Sequence, residues 1–316
     1  LKFIDEFQEK LKSGNLKEAY ETLKRAEKTK KITPDDIFLI GSLYLQMGLN
    51  NDALKAFLRA EEEGYHGYAL YINLGVCYNR LGKFEDAILA LTEALEMRDD
   101  ILGIYINLTT ALKYAGRTQE ALDLLDRAIS KFPDEGEVYN TRGFLFEYLG
   151  WYEEASRDYA RATELSPKNA IYWINWGNAC VHLDLLDEAK TYFERAIDID
   201  PNIPIPYNNL AYYYLREDNN DIALEMANKA LSIDPNYFQA LLNRGVIYTY
   251  IKRYEDALSD FKKAIELRPE NPAGYFNAGR VLDILERQDD AIEMLKKGEE
   301  LGSGECSELI KIIKGR

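Results

Sequence analysis

The chain runs to 316 residues, 47 % of them hydrophobic and 29 % charged, with a formal net charge of −15. Such a composition describes an ordered, packed chain and excludes a disordered one, while the acidity argues against nucleic acid or an anionic lipid surface as main partner. No apolar run approaches the ~20 residues that a helical membrane span requires, so no span is expected.

Length alone would suggest two globular domains. A stricter signal overrides that expectation. Alanine recurs every 34 residues at Ala19, Ala53, Ala87, Ala121, Ala155, Ala189, Ala223, Ala257 and Ala291. A second small residue follows each by seven, from Ala26 to Ala264 and then Gly298. A third series lies twelve before the first in seven of the nine, with Gly41, Gly75, Gly143, Gly177, Gly245 and Gly279 in phase and Ala211 in place of Gly. A fixed period of this length marks stacked repeats, each too small to bury its own apolar faces. It divides the chain at 1–33, 34–67, 68–101, 102–135, 136–169, 170–203, 204–237, 238–271 and 272–303, with a short capping helix at 305–314. The expectation is an all-α solenoid of nine helix-turn-helix repeats forming one domain over 1–316.

In chain order, the first repeat departs from the pattern, with Phe7 where glycine is expected and no closing proline. Thr33-Pro34 then restarts the chain as a helix cap and a first-turn proline. The fifth repeat is the clearest. Val138, Tyr139, Phe146 and Leu149 recur at helical spacing, Gly150 ends the first helix, and Ala155, Tyr159, Ala162 and Leu165 stripe the second before Pro167 closes it. Gly143 and Ala155 are expected to let the two backbones approach. Fourteen carboxylates lie at two adjacent positions that open the second helices, as in Glu85-Asp86, Glu153-Glu154, Asp187-Glu188, Glu255-Asp256 and Asp289-Asp290, which places much of the acidity where the helix dipole favours it. The seventh repeat is the loosest: Glu217-Asp218-Asn219-Asn220 lacks the turn glycine and Ala227 stands where others carry a ring or Leu, so a packing deficit and hinge are expected there. At the end, Gly302-Ser303-Gly304 breaks the ninth repeat, and Leu309, Ile310, Ile312 and Ile313 should cover the last hairpin.

An aromatic, Leu-Gly, an aromatic, then Ala, an aromatic, Ala and Pro resembles the tetratricopeptide repeat. The third repeat carries it as Tyr71, Leu74-Gly75, Tyr78, Gly82, Phe84, Ala87 and Ala94, the sixth as Trp173, Trp176-Gly177, Ala189, Phe193, Ala196 and Pro201. The resemblance covers nearly the whole chain. It implies a right-handed superhelical solenoid whose first helices line the concave side.

In that frame two polar rows face the groove. The sixth position of the first helix is Asn73, Asn107, Asn175, Asn209, Asn243 and Asn277, interrupted by Thr141. An amide both donates and accepts, so it can hold a peptide backbone without reading its sequence. The row is similar to one in the repeat region of O-linked N-acetylglucosamine transferase, where such residues contact bound extended peptide. The thirteenth position gives Arg80, Tyr114, Tyr148, His182, Arg216 and Tyr250, and the ninth adds Asn178 and Arg280. Tyr and Arg are the residue types enriched at binding hot spots. Phe144 and Tyr212 are expected to pack against adjacent helices instead. Binding of an acidic chaperone tail through a carboxylate clamp is not expected, because the fifth position holds Phe38, Ile72, Ile106, Asn140, Ile174, Asn208, Leu242 and Phe276 rather than lysine.

Catalytic chemistry is not expected. His66 and His182, the two histidines, lie more than three repeats apart, and no phosphate-cradling glycine loop occurs, so no cofactor and no metal site is anticipated. Cys77, Cys180 and Cys306 have no paired spacing, and Cys77 and Cys180 fall on packing faces, which fits a reducing, cytoplasmic compartment. The first residue, Leu1, is not methionine, as in a trimmed chain. The function expected is a monomeric protein–protein interaction scaffold holding an extended peptide or partner segment in the concave groove. The alternatives are the substrate-recruiting arm of a larger, glycosyltransferase-like enzyme, or an assembly factor using the convex face or ends.

Overall fold

Each repeat folds into two helices because its apolar residues recur at helical spacing and its turn chemistry stops them at fixed places. The computed structural model describes residues 2–29 and 32–315, so Leu1 and the Lys30-Lys31 end of the first repeat lie outside the described residues. The described residues form nineteen α-helices and no strand. The first four repeats pair α1 (Lys2–Lys12) with α2 (Leu16–Glu27), α3 (Pro34–Gln46) with α4 (Asn50–Glu62), α5 (Tyr68–Arg80) with α6 (Phe84–Met97), and α7 (Leu102–Tyr114) with α8 (Thr118–Lys131). The next three pair α9 (Gly136–Tyr148) with α10 (Tyr152–Leu165), α11 (Ala170–His182) with α12 (Leu186–Ile199), and α13 (Pro204–Arg216) with α14 (Asn220–Ile233). Then come α15 (Phe238–Tyr250) with α16 (Tyr254–Leu267), α17 (Pro272–Ile284) with α18 (Gln288–Glu300), and α19 (Gly304–Lys314). The helices group into two compact bodies, Leu1–Leu145 and Phe146–Arg316, whose boundary falls inside α9.

Caps and turns follow the sequence closely. Thr33 and Asp36 form a reciprocal capping box ahead of Pro34, and the acid pairs occupy the first turns of α6, α10, α12, α16 and α18. Between the helices of each hairpin one residue takes a left-handed conformation, always 34 from the last. It is Gly14, Gly48, Gly82, Gly116 and Gly150, then Asp184, Asp218, Lys252 and Glu286 with φ of 56–61°. Four repeats therefore lack the turn glycine, not the seventh alone. The seventh keeps the same closing bond, Asn219 N–H to Tyr214 O at 2.8 Å, as Lys83 N–H makes to Tyr78 O at 2.9 Å in the third.

Five of the in-phase helical glycines meet a large side chain of the second helix. A Cβ on Gly41 would lie 2.7 Å from the Phe57 ring, and one on Gly245 would lie 2.4 Å from Phe261. The same spacing of sixteen residues joins Gly75 to Leu91, Gly177 to Phe193 and Gly279 to Leu295. Each glycine is the socket for one large side chain of its own second helix. In the first repeat Phe7 and Leu23 share that spacing, both fully buried. The seventh repeat puts Ala211 opposite Ala227, both fully buried, with Tyr214, Leu215, Leu224 and Met226 packed around them. Side chains thus close on the place where the deficit was expected.

The last helix covers the ninth hairpin, with Cys306, Ile310 and Ile313 buried and Leu309 packed beside them. Ile312, expected in that cover, is 46 % exposed, because it falls on the opposite side of the helix from Cys306 and Ile313. Cys306 explains Gly298: a Cβ there would lie 2.5 Å from the Cys306 sulfur.

Candidate first-helix interface

Residues three and four apart on a helix share one face, so positions five, six, nine, twelve and thirteen of each first helix project together. In the C-terminal body four such helices line a pocket of about 220 Å³, built from Glu147 of α9, Asn178, Val181 and His182 of α11, Asn209 and Tyr212 of α13, and Asn243 of α15. No lysine or arginine lines it.

The amides of this pocket form a relay. Asn243 Nδ2 donates to Asn208 Oδ1 at 2.8 Å, Asn208 Nδ2 to Asn209 Oδ1 at 3.2 Å, and Asn209 Nδ2 to Asn178 Oδ1 at 2.7 Å. Each amide nitrogen carries two hydrogens, so one donor on Asn209, one on Asn243 and both on Asn178 are left by these bonds. The carboxylate of Glu147 accepts from the Tyr159 hydroxyl at 2.7 Å. Tyr159 is wholly buried, and burial first, then the Glu147 charge, push its hydroxyl far above the ordinary phenol range, so it stays protonated and holds the carboxylate in place. Exposed His182 stacks flat on Tyr152, ring centroids 4.3 Å apart.

The pocket thus joins Asn178, Asn209, Asn243 and His182 among the expected residues. Elsewhere in this body Asn175 is half-buried on α11, and Tyr148 and Tyr250 are exposed. Arg216 pairs with Asp184 at 3.3 Å, Arg280 lies over the Phe276 ring, and Asn277 donates to its own helix at Ala273 O, 2.9 Å. In the N-terminal body Asn107 likewise donates to Gly103 O at 2.7 Å, while Asn73 reaches Ser42 at 3.4 Å. Arg80 donates to Leu45 O, and exposed Tyr114 stacks on Phe84. The asparagines are therefore not equivalent: Asn107 and Asn277 bond their own helices, while Asn209 and Asn243 enter the relay. Phe144 and Tyr212, expected to be packed away, are 49 % and 41 % exposed, since position nine projects on the same face as positions five, six and thirteen. Glu147, which lines the pocket, and Asn208, which joins the relay, were not among the expected residues. Asn208 carries a signal, an amide at a position that is apolar in most repeats; Glu147 carries none.

Tetratricopeptide repeat models match residues 38–100, 106–135, 136–169, 170–203, 192–225 and 238–271. A search of curated proteins returned no match. Among solved structures, the crystal structure of yeast Tom70 aligns with a TM-score of 0.62 at 19 % identity, over 91 % of this chain. This chain spans 64 % of that one. A crystal structure of MamA aligns with a TM-score of 0.45 at 19 % identity, over 51 % of this chain and 94 % of its own. Family models that between them reach from the second repeat to the eighth, on hairpins of the matching period, establish that the chain belongs to the tetratricopeptide repeat family.

Proposed function

We propose that the chain is a protein–protein interaction scaffold whose first-helix face holds an extended segment of a partner protein. The observation that carries this reading is the amide relay of the C-terminal body, which presents Asn178, Asn209 and Asn243 to a pocket while bonding them to one another. Amides fixed in this way lose little entropy on binding and suit a peptide backbone, which offers alternating donors and acceptors. His182 and Tyr212 supply ring surface beside them, and exposed Arg216 and Tyr250 of the same body extend the set of groups for partner side chains.

The test is a benzophenone amino acid at position 212 to capture the partner, followed by affinity measurements with Asn178→Ala/Asn209→Ala/Asn243→Ala. A loss of about tenfold or more is expected. Unchanged affinity in a triple variant with native helicity would refute the assignment, as would crosslinks confined to second helices.

A further inference from the structure

The repeat phase exposes one place where the chain breaks its own rules twice within a single helix turn. Position 89 is polar in the eight other repeats, from Glu21 and Lys55 to Glu293, but is Leu89 in the third. Position 93 is Arg or Lys in all eight others, including Arg25, Arg59, Arg127, Lys263 and Lys297, but is Glu93 in the third. Leu89 is 72 % exposed, an extreme value for a large apolar side chain.

Both residues line one groove of about 430 Å³ on the N-terminal body, between α4 and α6. Tyr71, Leu74 and Tyr78 of α5 form its floor, Leu58 and Leu89 its apolar rim, and Glu61, Asp86 and Glu93 its charge. Leu58 is itself a departure, since the other repeats carry polar residues or Ala160 there. None of the three carboxylates makes an ion pair among the described residues. They face the tyrosine hydroxyls: burial and then Glu61 and Glu93 raise Tyr71, and burial, Asp86 and Glu61 raise Tyr78.

In two of the repeats that keep the rule, the basic residue reaches the end of the preceding second helix. Arg59 donates to Glu27 O at 3.2 Å, and Lys263 to Pro235 O at 2.5 Å. A cation there is favoured by the negative end of the helix dipole. In the groove between α4 and α6 that cation is replaced by an anion, and Arg59 of α4 is engaged by Glu63 and Glu27. The neighbouring groove between α6 and α8 is supplied from within: Arg117 and Arg127 line it, and Arg117 bonds Glu120 at 2.7 Å and Glu85 at 3.3 Å.

We propose that the groove between α4 and α6 is a docking site for a basic amphipathic segment of a partner protein. An apolar side chain of that segment seats between Leu58 and Leu89, and its Arg or Lys takes the place that an in-chain cation holds in the other eight repeats. This site is independent of the relay pocket, which lies on α9, α11, α13 and α15.

Glu93→Arg restores the repeat's own residue and closes the site without threatening the fold. Fluorescence anisotropy with a labelled helical Leu/Arg peptide, and with the same peptide carrying Glu for Arg, reads the interaction. The chain is expected to bind the basic peptide only, more weakly as salt rises. Glu93→Arg and Leu89→Asp should each weaken it by about tenfold, while the charge-matched control Glu225→Arg and the pocket variant Asn209→Ala leave it unchanged. Equal loss in Glu93→Arg and Glu225→Arg would overturn the proposal, reducing it to general attraction to an acidic chain. Self-association abolished by Glu93→Arg would overturn it too, by making a second copy the occupant.

Discussion

Lys252 and Glu286 sit at φ of 61° and 58°, a left-handed conformation in which a side chain costs an L-residue about 1–2 kcal/mol and glycine nothing steric. Lys252→Gly and Glu286→Gly should each raise the unfolding free energy in urea by about 0.5–1 kcal/mol, after the entropy of glycine is counted. Asp184→Gly and Asp218→Gly should gain less, because Asp tolerates this region. No gain at any of the four would show that the turns are set by packing alone. A second prediction concerns the thiols. Burial pushes Cys77 and Cys180 up to about 11, so the native state prefers the protonated thiol. Below the ordinary thiol range of about 8.5 this changes nothing; from there to about 11 the unfolded state ionises first and stability falls as pH rises. Iodoacetamide at pH 8 should therefore label these thiols slowly in the native chain and readily in urea. Residue identity was legible in the repeat phase to an uneven degree. Asn178, Asn209, Asn243 and His182 were visible because phase puts like positions on one face. Glu147 was not, since only the buried hydroxyl of Tyr159 distinguishes it from a solvated carboxylate.

At the scale of elements, the pairing of a glycine with the large residue sixteen positions later sets how five of the hairpins close. Gly245→Ala would thrust a Cβ to 2.4 Å from the Phe261 ring and should cost about 1–3 kcal/mol despite its better helix propensity. Phe261→Ala alone should cost about 3–5 kcal/mol through the cavity it leaves. The double variant reproduces the Ala211/Ala227 pair of the seventh repeat. Its cost should fall short of the sum by about 1 kcal/mol or more in a double-mutant cycle, and strict additivity would refute the socket. The helices themselves were legible to within a residue or two, because caps, acid pairs and closing prolines are local. The socket was not, because it depends on which residue of the second helix crosses the glycine, and the sequence spacing admits alanine or the ring equally.

For the whole molecule, stability in a stack is a sum over hairpins and their interfaces, so an exposed end costs more than a surface loop. Ending the chain at 303 would uncover the surface now under Cys306, Ile310 and Ile313. A loss of about 3 kcal/mol or more is expected by denaturation, with concentration-dependent association in sedimentation; a monomer of unchanged stability would remove α19 from its capping role. The charge of −15 is likewise unevenly used. Most carboxylates begin helices or pair with Arg and Lys, whereas Glu61 and Glu93 in the groove between α4 and α6 do neither. The sequence alone determined the repeat, its period, the helix boundaries and the set of residues eligible for each face, since all of these follow from local propensity and phase. The tertiary structure alone decided which asparagines turn to one another and which to their own helix. It also decided that Leu89 and Glu93 share a groove with Glu61. Those outcomes depend on side chains from different helices meeting across a packed interface, and a period along the chain carries no record of such meetings.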